Sequence, residues 1–142
     1  MLRRIRDNTY VNDIPIGTKG EMKIIVADDN AINFLGSDTA RVLGTPYMIY
    51  YLEMTARNSV KPLLPEGFDT VGARVDVRHL AATPMGLHVT FRSELTARED
   101  RRLFFRVEAF DDKEKVGEGM HERAIINVAK FASRVQAKAV NA

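Results

Sequence analysis

The stretch TPYMIYYLEMTAR, residues 45–57, decides how this sequence folds. Its opening Thr45-Pro46 suits a helix N-terminus, because threonine can cap a free backbone N–H and proline at the first helical position loses no hydrogen bond. From Tyr47 onward the first three turns are apolar on almost every side. A surface helix would show a polar face, so we predict a helix over residues 47–64 that is largely enclosed.

After this helix the hydrophobic pattern repeats every two residues, which indicates β-strands. The predicted strands cover residues 71–80, 87–96, 103–110 and 115–128, with a shorter one at 21–27 ahead of the helix. In the first long strand His79 alternates onto the face that packs on the helix. One enclosed helix followed by antiparallel strands predicts an α+β domain, the hotdog fold, whose sheet wraps around the helix. Its uncovered sheet edge predicts a homodimer or a dimer of dimers.

Two shorter segments complete the prediction. Residues 30–35 are expected to form a helical turn, and residues 129–139 a C-terminal helix rich in helix formers. This last segment carries Lys130, Arg134 and Lys138 and contains no acidic residue. A solvated terminus explains such charges, and the functional alternative is attraction of an anionic ligand such as a nucleotide phosphate.

The composition limits the classes of protein that this chain can be. Its 142 residues, 45% of them hydrophobic, suit one domain over residues 1–142. The absence of cysteine excludes disulfides, cysteine-ligated metals and a thiolate nucleophile. A net charge of +2 is too small to argue for nucleic acid, and the longest apolar run, residues 47–52, is far shorter than the roughly 20 residues of a membrane span. We expect a cytoplasmic protein that binds neither nucleic acid nor membrane.

Three polar residues are the candidates for chemistry. Glu53 is the only charged residue between Arg41 and Arg57, within the most apolar stretch of the chain. An enclosed carboxylate must find hydrogen bonds, face a cavity or bind a proton, although an ion pair with Arg57 would also explain it. His79 is either a satisfied core residue or a partner for Glu53. Thr45 precedes Glu53 by eight residues, about two helical turns, so the two can share one side of the helix, and capping alone is the other explanation.

Several common functional motifs are missing. The sequence has no G-x-S-x-G nucleophile elbow and no G-x-x-x-x-G-K-[ST] phosphate loop, and residues 117–122 do not fit the dinucleotide fingerprint. Its three histidines lack the spacing of metal ligands. We therefore expect no metal and no cofactor.

With these residues in place, the chain resembles the bacterial hotdog thioesterases, in particular the fluoroacetyl-CoA thioesterase family. The resemblance covers roughly residues 45–130 and is most specific at HLAATPMGL, residues 79–87, and GMHERA, residues 119–124. It implies hydrolysis of a short-chain acyl-CoA thioester to the free acid and CoA, without a cofactor other than the CoA of the substrate. It also implies a catalytic group made of Thr45, Glu53 and His79, and substrate contacts from Gly72 and Arg123.

The chemistry of these side chains suits that reaction. A thioester carbonyl can be attacked by Glu53 itself, or by water that a carboxylate or imidazole has deprotonated, and Thr45 can orient groups or relay a proton. Sequence does not choose between the two routes. Two other functions stay open: a non-catalytic acyl-CoA-binding module, which would have no need of Glu53, and a hotdog hydratase or dehydratase, whose Asp-x-Asn-Pro type of loop is absent.

One departure from the family concerns the lid. The fluoroacetyl-CoA enzymes carry two lid phenylalanines just before the threonine, whereas this chain reads Gly36-Ser37-Asp38-Thr39, with Phe34 as its nearest phenylalanine. We therefore expect little preference for a fluorinated acyl group. The bulky side chains at Tyr47, Met48, Tyr50 and Tyr51 predict a small acyl pocket and short acyl chains.

Overall fold

The computed structural model describes residues 2–5 and 9–141. Within these ranges the strands are β1 (Leu2–Ile5), β2 (Thr9–Asn12), β3 (Lys19–Ile25), β4 (Phe68–His79), β5 (His88–Glu99), β6 (Arg102–Asp111) and β7 (Lys115–Asn127). The helices are α1 (Thr45–Val60) and α2 (Val128–Val140), with 3-10 turns at Asp38–Ala40 and Lys61–Leu63. No helix in the described ranges is both long and apolar enough to cross a membrane.

The large sheet confirms the predicted hotdog fold. Its strands lie in the order β3-β5-β6-β7-β4, all antiparallel, and α1 packs across one face of this sheet. Helix residues Met48, Leu52, Ala56 and Val60 are buried against sheet residues that include Phe91, Leu95, Phe105 and Ile125. Burial of such side chains contributes roughly 1.5–3 kcal/mol each, which fixes the helix on the sheet.

The expected enclosure of α1 is only half correct. One side of the helix is buried, but Tyr47 and Tyr50 on the other side are 43% and 56% exposed. The sheet covers a single face of the helix, so apolar side chains on the opposite face stay exposed. This uncovered side begins at the N-terminal end of α1.

The segments before α1 differ most from expectation. No helix forms over residues 30–35, which make turns and an isolated bridge, and the short helical turn lies at Asp38–Ala40 instead. The small β1-β2 hairpin was not anticipated, because four-residue strands carry too short an alternation to detect. The strand predicted at 21–27 is β3, shifted two residues toward the N-terminus.

Strand β4 has two features that matter for the site. It forms an edge of the sheet, paired with β7 on one side only, and its residues 72–76 are exposed. Its register with β7 shifts between Gly72 and Arg74, where β4 carries one extra residue. Such a bulge reverses the alternation, so that Gly72 and His79, seven residues apart, both point toward α1.

Candidate active site

The N-terminal end of α1 holds the first polar group. Thr45 is the first residue of the helix, and its hydroxyl Oγ1 lies 2.7 Å from Nδ1 of His79 at the end of β4. Gly44, not Thr45, occupies the capping position, and no side chain caps this helix. The suggestion that Thr45 serves as a helix cap is thus wrong, because its hydroxyl bonds the imidazole.

His79 is held as a neutral imidazole. Burial lowers its pKa, and a weaker backbone interaction with Ala81 opposes the decrease only in part. Its second ring nitrogen, Nε2, is buried and has no hydrogen-bond partner among residues 2–5 and 9–141. A buried polar nitrogen without a partner is costly in a folded protein and is characteristic of functional sites. The Thr45–His79 pair therefore has an unused capacity to accept or donate a proton.

An open cavity of about 630 Å³ adjoins this pair. Its wall includes Thr45 and His79 and is otherwise made of mostly apolar residues: Ile32, Phe34, Val42, Leu43, Pro46, Leu80, Ala81 and Ala82. The four bulky residues expected to narrow the pocket do not line this cavity. Tyr51, for example, turns inward, where its hydroxyl accepts a hydrogen bond from the Asn30 amide and its ring packs on Phe91.

The second polar group lies farther along α1, around Glu53. Nη1 of Arg123 on β7 donates to Glu53 Oε2 at 3.3 Å. The guanidinium is buried, and its other donors reach β4, with Nε on the Thr70 hydroxyl at 2.7 Å and Nη2 on the Thr70 carbonyl at 2.9 Å. Arg57 pairs with Asp69 rather than with Glu53. An ion pair with Arg57 therefore does not explain Glu53.

His121 belongs to this second group; it lies within the GMHERA motif, residues 119–124, but was not among the predicted site residues. Its Nδ1 lies 2.8 Å from the carbonyl oxygen of Arg74, which can only accept, so Nδ1 carries the proton. Nε2 then accepts from Arg123 Nη1 at 3.1 Å. Burial lowers the pKa of His121, and the charge of Arg123 lowers it further. A neutral His121 thus fixes the guanidinium that bonds Glu53.

Gly72 lies directly under the carboxylate of Glu53. A Cβ atom at this position would overlap Glu53 Oε2 and would come within 3.5 Å of His121 Cε1. Any side chain here would displace the carboxylate. The bulge in β4 and the absence of a side chain at Gly72 together create the space in which Glu53 lies.

The structure of the chain does not bring all five predicted residues together. Thr45 and His79 meet at one end of the helix, and Glu53, Gly72 and Arg123 meet two turns away. Eight residues of α-helix span about 12 Å, too far for a direct bond between Thr45 and Glu53. Within the described residues no hydrogen bond or ion pair links the Thr45–His79 pair to the Glu53 cluster. In the same ranges no group of three or more acidic or histidine side chains is arranged to hold a metal.

Comparison with known proteins gives one consistent result. A sequence profile of the fluoroacetyl-CoA-specific thioesterase family matches residues 26–129. The fluoroacetyl-CoA thioesterase of Streptantibioticus cattleyicolor is 40% identical over 97 residues, which are 68% of this chain and 70% of that enzyme.

Solved structures agree with the sequence match. A structure of a fluoroacetyl-CoA thioesterase superposes with a TM-score of 0.81 at 32% identity, covering 89% of this chain and 98% of the other. A Thermus thermophilus hypothetical protein described as a thioesterase superfamily member gives a TM-score of 0.82 at 25% identity, covering 91% of this chain and 96% of the other.

Proposed function

Because the chain belongs to the fluoroacetyl-CoA-specific thioesterase family, and so hydrolyses a short-chain acyl-CoA thioester to the free acid and CoA, we propose how its residues perform that reaction. Thr45, His79 and Glu53 are the catalytic residues, and no cofactor is needed beyond the CoA of the substrate. The observation that supports this most is the state of the carboxylate. Oxygen Oε2 of Glu53 is held by Arg123, while Oε1 has no hydrogen bond within residues 2–5 and 9–141 and is free to react.

We propose that the complete site forms between two subunits of a cytoplasmic homodimer. The exposed edge of β4 is long enough to pair with the same edge of a second copy. A symmetric antiparallel pairing of two copies is centred on a residue, and Val75 and Asp76 lie midway between Gly72 and His79. Pairing centred on either one sets His79 of one subunit within one residue of the position opposite Gly72 of the partner subunit, and Glu53 of the partner subunit rests on that glycine.

In this arrangement the groups divide the reaction between them. Glu53 Oε1 either attacks the thioester carbonyl carbon to form an anhydride with the enzyme, or removes a proton from a water that attacks the same carbon. The C–S bond breaks in both routes and the CoA thiolate leaves. In the first route a water then hydrolyses the anhydride to the free acid, and neutral His79 accepts the proton of that water and passes it through Thr45 to the thiolate. In the second route the proton that Glu53 takes from water reaches the thiolate through the same pair. Backbone N–H groups at the start of α1 face the developing oxyanion.

The role proposed for Arg123 differs from the substrate contact that the family resemblance implies. Its guanidinium is buried and bonded to Thr70, His121 and Glu53, so a phosphate of CoA would have to displace those groups to reach it. We propose that Arg123 and His121 are positioning residues for the carboxylate. Gly72 contributes by leaving space for Glu53.

Mixing two inactive variants tests the shared site. Subunits carrying Glu53→Gln and subunits carrying His79→Ala are co-refolded, and free thiol is followed with acetyl-CoA. Random mixing regains about a quarter of the wild-type rate, since half of the dimers are mixed and each mixed dimer has one intact site. No regain would mean that each subunit holds its own site. Light scattering gives the mass beforehand, and a value near 16.0 kDa would contradict the dimer.

The acyl specificity is a separate part of the proposal. We propose that acetyl to butyryl esters are the substrates, with at most modest preference for fluoroacetyl-CoA, because small apolar changes in a pocket alter discrimination by only about 1–3 kcal/mol. Phe34 lines the cavity but is 76% exposed, so it closes the cavity only weakly. The test is kcat/KM for fluoroacetyl-CoA against acetyl-CoA. A ratio of many thousands would contradict the weak lid, and preference for long chains would contradict the short-chain substrates.

A further inference from the structure

The C-terminal helix α2 carries three cations that the catalytic proposal does not use. Lys130, Arg134 and Lys138 recur every four residues and therefore lie along one face of the helix. All three are exposed, and within residues 2–5 and 9–141 none of them takes part in an ion pair. We call these three side chains the basic face of α2.

Five cations of the sheet have neighbouring carboxylates: Arg74 has Asp76, Arg92 has Glu21, Arg102 has Glu122, Arg106 has Glu94, and Lys115 has Glu108 and Glu118. Other exposed cations, such as Lys19, Lys23 and Arg78, have no ion pair among the described residues, but they do not form a row of three on one helix face. The sequence contains no acidic residue after Glu122. Like charges four residues apart on a helix repel each other, so an anion bound to the basic face would relieve that repulsion.

The basic face begins close to the Glu53 cluster. Arg123 and the start of α2 are connected by the last residues of β7, which span about 13 Å in a strand. The Val128 N–H bonds the carbonyl of Gly67 at 2.9 Å, and the Asn127 side chain accepts from the Lys130 N–H at 3.1 Å. The helix is thus tied to the end of the sheet that holds Glu53, and the cations extend outward from there.

We propose that the basic face of α2 binds the phosphates of the CoA part of the substrate. This inference rests on the proposed function, since the acyl thioester reacts at Glu53 while the 3′-phosphate and pyrophosphate of the same molecule lie a pantetheine arm away. Arginine presents a planar fork that pairs with two phosphate oxygens, and the flanking lysines act as point charges.

An anionic membrane is the less suitable partner for this helix. The apolar side chains beside the basic face are mostly alanine and valine, and α2 contains no tryptophan, leucine or isoleucine. Its one aromatic residue, Phe131, is half-buried against the protein. Interfacial helices need large apolar side chains to enter the lipid headgroup region.

The test replaces Lys130, Arg134 and Lys138 by glutamine together, which removes three charges and keeps good helix formers. Affinities for CoA and for pantetheine are measured by calorimetry, and kinetics are measured with acetyl-CoA and acetyl-pantetheine. CoA affinity should fall, and KM for acetyl-CoA should rise, by on the order of tenfold, because three surface charge interactions are lost. Pantetheine affinity and acetyl-pantetheine kinetics should not change. The wild-type KM for acetyl-CoA should rise with salt, and that dependence should weaken in the variant.

A control variant with Arg92, Arg106 and Lys115 replaced by glutamine loses the same charge from the sheet and should keep wild-type CoA affinity. Unchanged CoA affinity in the α2 variant, or an equal loss for pantetheine, would overturn the inference. So would binding to vesicles of equal parts phosphatidylglycerol and phosphatidylcholine that needs the basic face while CoA affinity does not. Calorimetry needs no turnover, so a wild-type protein that binds CoA through α2 but hydrolyses neither ester would contradict the proposed function alone.

Discussion

The N-terminal end and the middle of helix α1 differ in how completely their polar groups are bonded. At the N-terminal end, Thr45 and His79 share one 2.7 Å hydrogen bond beside an open cavity, and His79 Nε2 is left without a partner. Two turns later, Glu53 is part of a network with Arg123, His121 and Thr70. The first position keeps a ring nitrogen free, and the second holds a carboxylate in place. In the proposed dimer, pairing along the edge of β4 brings the two groups together.

The largest expected effect comes from removing the negative charge of Glu53. Glu53→Gln keeps the size of the side chain and removes the reacting carboxylate, so kcat should fall by on the order of a hundredfold or more, while the melting temperature changes little. Thiol release with acetyl-CoA measures the rate. Glu66→Gln, at an exposed position, is the matched control and should be fully active. A variant that melts early yet turns over normally would make Glu53 a structural residue.

Replacement of His79, beside the N-terminal end of α1, should lower the rate nearly as much. His79→Ala removes the group that exchanges a proton with Thr45, and we expect a loss in kcat of on the order of a hundredfold. His88→Ala, at an exposed histidine on β5, provides the comparison and should have no effect. Near-normal turnover per folded molecule in the His79 variant would assign His79 to the core instead of the reaction.

Gly72→Ala tests whether the rate depends on the exact position of the Glu53 carboxylate. The added methyl group overlaps Glu53 Oε2, and the flexible carboxylate can move away at little cost in stability. A carboxylate that is displaced from its position reacts more slowly, so kcat should fall by on the order of tenfold. The melting temperature should stay close to that of the wild type. Ala97→Ser, at an exposed position of β5, should behave as wild type. A wild-type rate in Gly72→Ala would show that the carboxylate tolerates a different position.

Arg123→Lys separates positioning from substrate binding. Lysine keeps the charge but cannot bond the Thr70 hydroxyl, the Thr70 carbonyl and Glu53 together. We expect a loss of about 1–3 kcal/mol in the free energy of unfolding and a few-fold decrease in kcat, with KM nearly unchanged. Arg102→Lys, on the outer face of the same sheet, is the control. A change confined to KM would return Arg123 to the role of a substrate contact.

The smallest effect is a shift in the pH profile. Burial lowers the pKa of His79, so the imidazole stays neutral to a lower pH than an exposed histidine. Activity should therefore be lost as pH falls through a midpoint below the ordinary value of about 6.5. His121 also has a lowered pKa, so the profile is repeated with His121→Asn, which should keep the same midpoint. A midpoint at or above the ordinary value would contradict a neutral His79 as the proton acceptor.

Much of this protein follows from local patterns in the chain. The apolar run after Thr45-Pro46 gives the helix, the two-residue alternation gives the four long strands, and a single carboxylate in an apolar stretch identifies Glu53. These features depend on residues close in sequence, and secondary-structure periodicity reports such features well. The motifs at His79 and at Gly119 to Ala124 were sufficient for the family.

Only the tertiary structure decided how these residues meet. The bulge at Gly72 depends on the register between β4 and β7, which local alternation does not encode, and it turns Gly72 toward α1 together with His79. The hydrogen bonds of Arg123 with Thr70, Glu53 and His121 join two strands and a helix, so their positions in the sequence do not predict them. The exposure of Tyr47 and Tyr50 follows from the sheet covering one side of α1. Sequence determined which groups are available for chemistry, and long-range pairing determined their directions, because strand register and burial are set by contacts between distant parts of the chain.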